Sequence, residues 1–401
     1  MLHDYDILIG GGGLAGNCLA LALQESGLKI ALIEAQTREQ LSESAAGDRA
    51  LALALGTVQQ LEILGIWQGV KQHATQIAQI HVSDQGHFGK TRLSAAREKV
   101  EALGYVITAR DIESHVAQLV TAADIKQYCP AKISAITSHS NAVTVTVQQA
   151  SEEVEIKAKL LVGADGGQST VRQLLAIEQH KTDYGQTALV TTVNTYLPHH
   201  NTAFERFTAQ GPLALLPVGN YQASVVWTRN PAQAAQLLNC SEADFIAQLQ
   251  ACFGYRLGEL SLAAPRRAFP LTLIRAKKMH TDRCVIIGNA AHQLHPVAGQ
   301  GFNLGLRDVV VLADSLIAQQ QRGADVGASD FLQDYAKLRQ HDHDKTIYFT
   351  DSLVKLFSNP HLPLAAARTI GLTLLDHLPL AKHQLARHAM GLKLKVDNHQ
   401  L

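Results

Sequence analysis

The stretch YDILIGGGGLAGNCLALALQESGLKIALIE, residues 5–34, decides the fold of the amino-terminal region. Its apolar pattern predicts a buried strand over residues 5–9, a helix over 17–26 and a second strand over 29–33, with Gly27 ending the helix. A strand, a helix and a second strand of this length make one βαβ unit. The chain is therefore predicted to begin with a Rossmann-like α/β domain.

A glycine-rich loop joins the first strand to the helix. In a G-x-G-x-x-G loop the glycines make a tight turn, admit a pyrophosphate to the backbone and let helix and strand pack closely. The helix N-terminus then faces the phosphates. Glu34 ends the second strand, where a carboxylate accepts hydrogen bonds from ribose hydroxyls. The loop residues predicted to hold the dinucleotide are Gly11, Gly13, Leu14, Ala15 and Gly16.

The composition of the 401 residues indicates a globular protein. Hydrophobic residues make up 46% and charged residues 17%, which excludes a disordered chain. Lys+Arg and Asp+Glu are 35 each, so no basic footprint for nucleic acid is present. The five cysteines show no CxxC spacing, as expected for free thiols in a reducing compartment. Glycines interrupt the uncharged stretch 7–24 and polar residues the stretch 284–306, so we expect neither a signal peptide nor a membrane span.

Later patterns predict a discontinuous first domain. Strand signals occur at 138–149, 153–156 and 159–162, antiparallel candidates at 213–217 and 223–227, and another buried strand at 284–287. A helix is expected from near Gly301, a loop at 319–323, and helices from about residue 330 onward. The predicted division is a dinucleotide-binding domain at 1–77, 99–184 and 266–335, an inserted antiparallel-sheet substrate domain at 78–98 and 185–265, and a C-terminal helical region at 336–401.

Two further segments make the pattern specific. LLVGADGGQSTVR, residues 160–172, is a strand, a turn at Asp165 and a helix start; RCVIIGNAAHQLHPVAGQGFNLG, residues 283–305, is a strand, a turn and a helix start. Together with the glycine loop, in this order, they resemble the FAD-dependent aromatic hydroxylases of the para-hydroxybenzoate hydroxylase type over nearly the whole chain.

Within that superfamily the chain is most similar to the ubiquinone-biosynthesis branch, the 2-polyprenyl-6-methoxyphenol hydroxylases. The segments that carry this resemblance are 81–89, 205–207, 211–217, 295–305 and 350–353. The resemblance implies an FAD-dependent monooxygenase that hydroxylates a polyprenylated phenol with molecular oxygen through a flavin C4a-hydroperoxide, with NAD(P)H as electron donor. It also implies a cytoplasmic enzyme with peripheral contact to the inner membrane and a pathway protein complex. A flavin hydroxylase of another phenol or ring carbon, and an FAD-binding scaffold without catalysis, are the alternatives.

The resemblance also assigns residues. Arg49 would approach the flavin and Arg110 the phosphate side, with surface solvation as the alternative for both. Asn289 stands where most of the wider family has Asp. Pro296 would fix the backbone beside the flavin ring, and His292 or His295 would act on the phenol proton or shape the turn by hydrogen bonding. The remaining expected cofactor contacts are Asp165, Gly288, Gly299, Gln300, Gly301, Phe302 and Asn303.

Polar and apolar groups near the carboxyl terminus have a simpler interpretation. His341 and His343, with Asp342 and Asp344, resemble a ligand list, but residues two apart on a helix do not share a face. We expect a solvated patch there and no metal site. The apolar residues Leu353, Leu356, Phe357, Leu362 and Leu364 are expected to pack in a core, with a docking surface as the alternative.

Overall fold

A computed structural model describes residues 3–150, 152–294, 299–357 and 362–392 of the chain. The strands are β1 Tyr5–Gly10, β2 Ile30–Ile33, β3 Ala50–Ala54, β4 Thr75–Ile77, β5 Gln79–Asp84, β6 Lys90–Ser94, β7 Gly104–Thr108, β8 Lys126–Tyr128, β9 Lys132–Ser138, β10 Val143–Gln149, β11 Glu152–Gly163, β12 Gln179–Thr195, β13 Thr202–Thr208, β14 Gly211–Val218, β15 Gln222–Arg229, β16 Leu260–Leu262, β17 Arg267–Ala276, β18 His280–Thr281, β19 Cys284–Ile286 and β20 His292–Gln293. The helices are α1 Leu14–Leu23, α2 Arg38–Ser42, α3 Leu55–Ile63, α4 Trp67–Val70, α5 Ala95–Glu98, α6 Ala109–Ala122, α7 Thr170–Leu174, α8 Pro231–Asn239, α9 Glu242–Phe253, α10 Gln300–Gln321, α11 Ser329–Phe357, α12 Leu362–His377 and α13 Pro379–Ala389.

The first sheet confirms the βαβ unit. Its order is β18-β19-β11-β1-β2-β8, and β10 and β9 continue from β11. Strand β1 is parallel to both β2 and β11, so Gly10 pairs with Ile33 on one side and Gly163 on the other. Helix α1 begins at Leu14, earlier than predicted, and ends at Leu23, before Gly27. The helix can start this early because Gly16 has no Cβ, so the first turn of α1 can lie directly against the carbonyl group of Gly11.

The first sheet gathers strands that are far apart in sequence. Strand β19 pairs in parallel with β11, which confirms that the chain returns to this sheet near residue 284. The strand predicted over 138–149 is wrong as a single element: β9 ends at Ser138, and a turn separates it from β10. The segments predicted at 153–156 and 159–162 are one continuous strand, β11, which pairs antiparallel with β10.

The second sheet has the order β20-β17-β12-β15-β14-β13-β5-β6. The predicted antiparallel pairing of 213–217 with 223–227 is confirmed as β14 with β15. The sheet is not wholly antiparallel, because β5 runs parallel to β13. Strand β17, inside the range 266–335 predicted for the first domain, pairs with β12 of this sheet. The predicted domain limits themselves stay predictions.

The two faces of the second sheet have different environments. One face packs against α8 and α9 in a core that includes Leu213, Leu215, Trp227 and Phe245. The opposite face lines a large cavity. Successive side chains along each strand therefore point alternately into the core and toward the cavity.

The carboxyl-terminal helices cover the far end of this cavity. Arg368 of α12 donates from Nε to Asp84 Oδ2 of β5 at 3.0 Å, and both side chains are buried. The rings of Phe207 and Phe357 stack with centroids 3.9 Å apart, next to Leu353. Core packing is thus confirmed for Phe357 and Leu353. The expectation is wrong for Leu356, whose side chain is exposed on α11, and the side chains of Leu362 and Leu364 lie outside the described residues.

Two further expectations concern the helices. Helix α10 continues to Gln321, so the loop predicted at 319–323 begins only at Arg322. Within the described ranges, each helix is too short or too polar to cross a membrane.

Candidate active site

One cavity of about 1260 Å³ runs from the carboxyl ends of the first sheet, across the second sheet, to α11–α13. Loops that follow β1, β11 and β19 line one end of it. Ligands of open α/β sheets bind at this edge because the strand ends and helix N-termini meet there. The three loops that the sequence singled out therefore share one site.

The glycine loop has space on its cavity side and none on its sheet side. A Cβ added at Gly11 would lie 2.6 Å from the backbone of Ala164, and one at Gly16 would lie 1.9 Å from the oxygen of Gly11. A Cβ at Gly13 would meet no protein atom within 4 Å. The open side faces the N-terminus of α1, where backbone N–H groups bind anions. The cradle therefore fits the pyrophosphate of a dinucleotide.

Glu34 is fixed at the wall of this cradle. Its Oε2 accepts a hydrogen bond from the backbone N–H of Gly12 at 2.7 Å, and its Oε1 accepts one from the N–H of Gln36 at 2.7 Å. A carboxylate oxygen accepts more than one hydrogen bond. Glu34 can therefore receive ribose hydroxyls in a fixed orientation.

The second loop is held by its own carboxylate. Asp165 accepts hydrogen bonds from the Ser169 hydroxyl and, at 3.0 Å, from the N–H of Val171, which caps the start of α7. Buried Arg172 donates to the carbonyls of Gly167 and Ala290, both at 2.8 Å. Arg172 thus joins the second loop to the third. Its sequence position gave no sign of this role, because the two carbonyls come together only in the fold.

The third loop presents Asn289 and the start of α10 to the cavity. Asn289 is exposed there, and Gly299 caps α10 in the left-handed conformation with φ of 62°. The amide of Asn303 is fully engaged: it donates to the carbonyls of Ala52 at 3.0 Å and Gly299 at 2.7 Å, and accepts from the N–H of Ala54 at 3.0 Å. Asn303 therefore fixes α10 against β3, beside the helix N-terminus.

Most of the predicted cofactor contacts line this cavity. Those that do are Gly11, Gly13, Leu14, Ala15, Glu34, Arg49, Asp165, Gly288, Asn289, Gly299, Gln300, Gly301, Phe302 and Asn303. Gly16 instead lies beneath the loop, and the guanidinium of Arg110 pairs with Asp48 at 2.6 Å, where Arg267 also binds. His295 and Pro296 lie outside the described residues.

His292 is fully buried and does not line the cavity. Its Nε2 lies 2.9 Å from Asp308 Oδ2, which also accepts from the N–H of Gly288 at 3.0 Å. Burial lowers the pKa of His292 despite the neighbouring carboxylate, so we assign a neutral ring that donates from Nε2. This placement supports the alternative role, in which His292 shapes the third loop by hydrogen bonding.

Asp308 is the centre of a buried cluster that joins three elements. Its Oδ1 accepts from Arg339 Nε and from His343 Nε2 of α11, each at 2.7 Å. Although burial opposes its charge, the neighbouring His343, His292 and Arg339 hold the pKa of Asp308 well below its usual range. Asp308 therefore stays ionised and connects the third loop, α10 and α11.

The expectation of a solvated patch at 341–344 is wrong for His343. Its ring is 4% exposed, whereas His341 and Asp344 of the same helix face solvent. His292, Asp308 and His343 offer ligand atoms within 4.8 Å of one another, as a metal site would. The guanidinium of Arg339 pairs with the carboxylate of Asp308 and already supplies a positive charge there. Hydrogen bonds and this ion pair therefore account for the arrangement without a metal cation.

Buried histidines make stability depend on pH. Burial lowers the pKa of His292, and burial with nearby Arg256 lowers the pKa of His81 to about 4. The unfolded chain binds protons at these histidines below pH 6.5 and the folded chain does not, so the free energy of unfolding is expected to fall as pH drops below that value. Each such histidine contributes at most about 1.4 kcal/mol per pH unit to the free energy of unfolding.

Urea titrations at a series of pH values across this range measure the slope of the unfolding free energy against pH. His292→Gln, which keeps a donor to Asp308, should reduce the slope, and an unchanged slope would contradict the assignment.

The rest of the cavity is lined mainly by apolar side chains. Its far end is lined by Leu353, Phe357 and Leu372 from the helices and by Phe207 from β13. Across its floor, residues of the second sheet are paired in register in the row Val190, Val226, Ala214, Glu205, Val82 and Thr91. The dinucleotide end therefore opens directly onto a wall suited to an apolar ligand.

The fold and the three loops define a dinucleotide-binding flavoprotein with an adjoining apolar pocket. The chain belongs to the family described as FAD binding domain, whose pattern matches residues 4–348. The space beside the glycine loop fits a dinucleotide, and membership of this family shows that the dinucleotide is FAD.

Curated relatives match over nearly their full length. The chain is 36% identical to the ubiquinone hydroxylase UbiL of Rhodospirillum rubrum, covering 99% of this chain and 92% of the relative. It is 31% identical to the 3-demethoxyubiquinol 3-hydroxylase of Escherichia coli, covering 96% of this chain and 98% of that protein.

Solved structures with the same fold are more distant in sequence. The p-nitrophenol 4-monooxygenase PnpA of Pseudomonas putida has a TM-score of 0.79 at 16% identity, covering 97% of this chain and 99% of that one. The anhydrotetracycline hydroxylase OxyS of Streptomyces rimosus has a TM-score of 0.73 at 23% identity, and the match covers 97% of this chain and 76% of OxyS. The predicted α/β fold with an inserted sheet and C-terminal helices is confirmed.

Proposed function

We propose that this protein is an FAD-dependent monooxygenase that hydroxylates the aromatic ring of a polyprenylated phenol in ubiquinone biosynthesis. The observation that carries the proposal is the continuity of one cavity, which joins the dinucleotide cradle to an apolar wall. The hydroxylase relatives, which match along almost the whole chain, support the same reaction class.

The chain's own residues bind, orient and exclude water. When bound, FAD supplies the activation of molecular oxygen that amino-acid side chains cannot perform. The N-terminus of α10, fixed by Asn303, directs backbone N–H groups and a positive dipole end into the cavity, where they stabilise negative charge. The apolar sheet face and the helices enclose the substrate and keep water from the reacting ring.

The apolar far end is the part of the cavity suited to a prenyl tail. Leu353, Phe357 and Leu372 surround this end. A tail of this chemistry partitions into a bilayer, so we propose peripheral contact with the inner membrane, directly or through a pathway complex, during substrate uptake. NAD(P)H is the proposed electron donor.

Isotope labelling tests the proposed function. Purified FAD-loaded protein is incubated with a short-chain prenylated phenol, NADPH or NADH, and ¹⁸O₂. We expect one labelled oxygen atom on the ring and reductant use that depends on the phenol; the product's structure identifies the carbon. Reductant use without label in the product, for prenylated and unprenylated phenols alike, would favour the scaffold alternative. Label only in an unprenylated phenol would favour a hydroxylase of another substrate.

A further inference from the structure

Glu205 interrupts an otherwise apolar surface. It lies on β13, paired with Ala214 on one side and Val82 on the other, and lines the cavity. The adjacent residues Phe204 and Arg206 point to the opposite face of the sheet, since side chains alternate along a strand. The carboxyl group of Glu205 is therefore part of the floor on which an aromatic substrate would lie.

The carboxyl group of Glu205 forms no hydrogen bond or ion pair with the described residues. Other charged or titratable groups near this part of the cavity are already engaged: Arg368 pairs with Asp84, and the His388 ring packs on Phe349 with centroids 4.5 Å apart. Neighbouring β14 carries no titratable side chain, and Lys90 and Arg92 of β6 alternate with the cavity-lining Thr91. A half-buried carboxyl group that faces an apolar cavity without a partner among the described residues is unusual, because its desolvation is not repaid.

Burial alone raises the pKa of Glu205 to about 7. A general base works best when its pKa lies near the operating pH, and phenols, like tyrosine, ionise near pH 10 in water. A carboxylate in an apolar cavity is thus suited to accept a phenol proton at neutral pH.

We propose that Glu205 is a catalytic base that takes the hydroxyl proton of the phenolic substrate. This inference rests on the proposed function, which supplies the substrate class, the oxygen and the reductant. Glu205 would then be the residue of the mainly apolar cavity floor that exchanges a proton with the substrate.

The proposed step conserves protons and electrons. The proton passes from the phenol oxygen to the Glu205 carboxylate, and the electron pair of the O–H bond stays on the ring. When bound, FAD would supply dioxygen reduced by the two electrons of NAD(P)H, and its O–O bond would break as the ring carbon forms the new C–O bond, with the second oxygen atom leaving as water. That carbon then loses its hydrogen to solvent as a proton, and Glu205 returns its proton to the ring oxygen.

The first test compares Glu205→Gln with native enzyme. The amide keeps the size of the side chain but cannot accept the proton, so kcat should fall about 10²- to 10⁴-fold. The rise of kcat/KM through pH about 7 should disappear, and Glu205→Asp should restore part of both. Glu153→Gln, at an exposed position of β11, is the matched control and should leave both unchanged. Equal FAD content and equal melting temperature show that the variants fold.

The second test needs no turnover. 4-Fluorophenol is bound to the FAD-loaded protein without reductant, and its ¹⁹F shift is followed against pH. In native protein the bound signal should titrate with a midpoint near 7, reporting the carboxyl group beside the phenol, and Glu205→Gln should remove this titration. A carboxyl group that lies away from the bound phenol would leave the shift unchanged.

The outcomes separate this inference from the proposed function. If native enzyme incorporates labelled oxygen and Glu205→Gln keeps native kcat and pH profile, the base assignment is overturned. If native enzyme incorporates none, the proposed function fails, whereas the ¹⁹F titration still decides whether Glu205 contacts a phenol.

Discussion

Gly13→Val is expected to produce a folded protein that binds FAD at least about 100-fold more weakly than the native chain. The Cβ at position 13 would meet no protein atom within 4 Å, and the native φ of −77° is ordinary for valine. The side chain would instead fill the space beside the N-terminus of α1, which the pyrophosphate needs. The variant should therefore lose the cofactor and keep the fold.

Flavin absorbance per mole of purified protein, together with far-UV circular dichroism, measures this result. Gly16→Val is the matched control, because its Cβ would lie 1.9 Å from the Gly11 oxygen and must disturb the backbone itself. We expect Gly16→Val to lose both fold and flavin. Full flavin content in Gly13→Val would place the pyrophosphate elsewhere.

Asp308→Asn is expected to lower the free energy of unfolding by about 3 kcal/mol or more. The native carboxylate accepts hydrogen bonds from Gly288, His292, Arg339 and His343. Asparagine offers one acceptor oxygen, and its amide N–H groups would face two donors. Arg339 would also lose a buried counter-charge and keep only Asp342, at 2.8 Å. Because Gly288 belongs to the third loop, FAD content should fall as well.

Urea unfolding at neutral pH measures the change in Asp308→Asn. Asp314→Asn is the control on the same helix, since the Asp314 side chain is exposed and has no ion-pair partner among the described residues. This control should change stability by less than about 0.5 kcal/mol. If both variants lose a similar amount of unfolding free energy, the buried cluster around Asp308 does not stabilise the fold more than an exposed carboxylate does.

Local sequence was sufficient for the dinucleotide end of the cavity. The glycine loop, β1, β2 and Glu34 are contiguous, and their chemistry depends on backbone geometry that glycine spacing and strand ends express directly. Asp165 and Gly299 were expected at the site only because of the family resemblance, since each local pattern by itself predicts no more than a turn before a helix. The resemblance then extended these segments to a complete flavin site.

The sequence was insufficient wherever a role depends on elements that meet from far apart. Asp308 drew no attention because its partners come from β20 and α11, separated from it by turns of helix and loop. His343 seemed to belong to a polar patch until packing against α10 buried it. Glu205 lies in one of the motifs quoted above, but no local pattern indicated that its carboxyl group faces an apolar cavity without a partner among the described residues.

What the sequence by itself determined is the dinucleotide class of the cofactor and the βαβ unit that binds it, because these follow from short-range rules of periodicity, turns and phosphate-binding glycines. Only the tertiary structure decided which polar groups are buried, paired or alone. Burial and electrostatic environment are sums over all elements packed around a group, so the ionised Asp308 and Glu205, which has no partner within the part of the chain that the structure describes, become distinguishable only after the chain has folded.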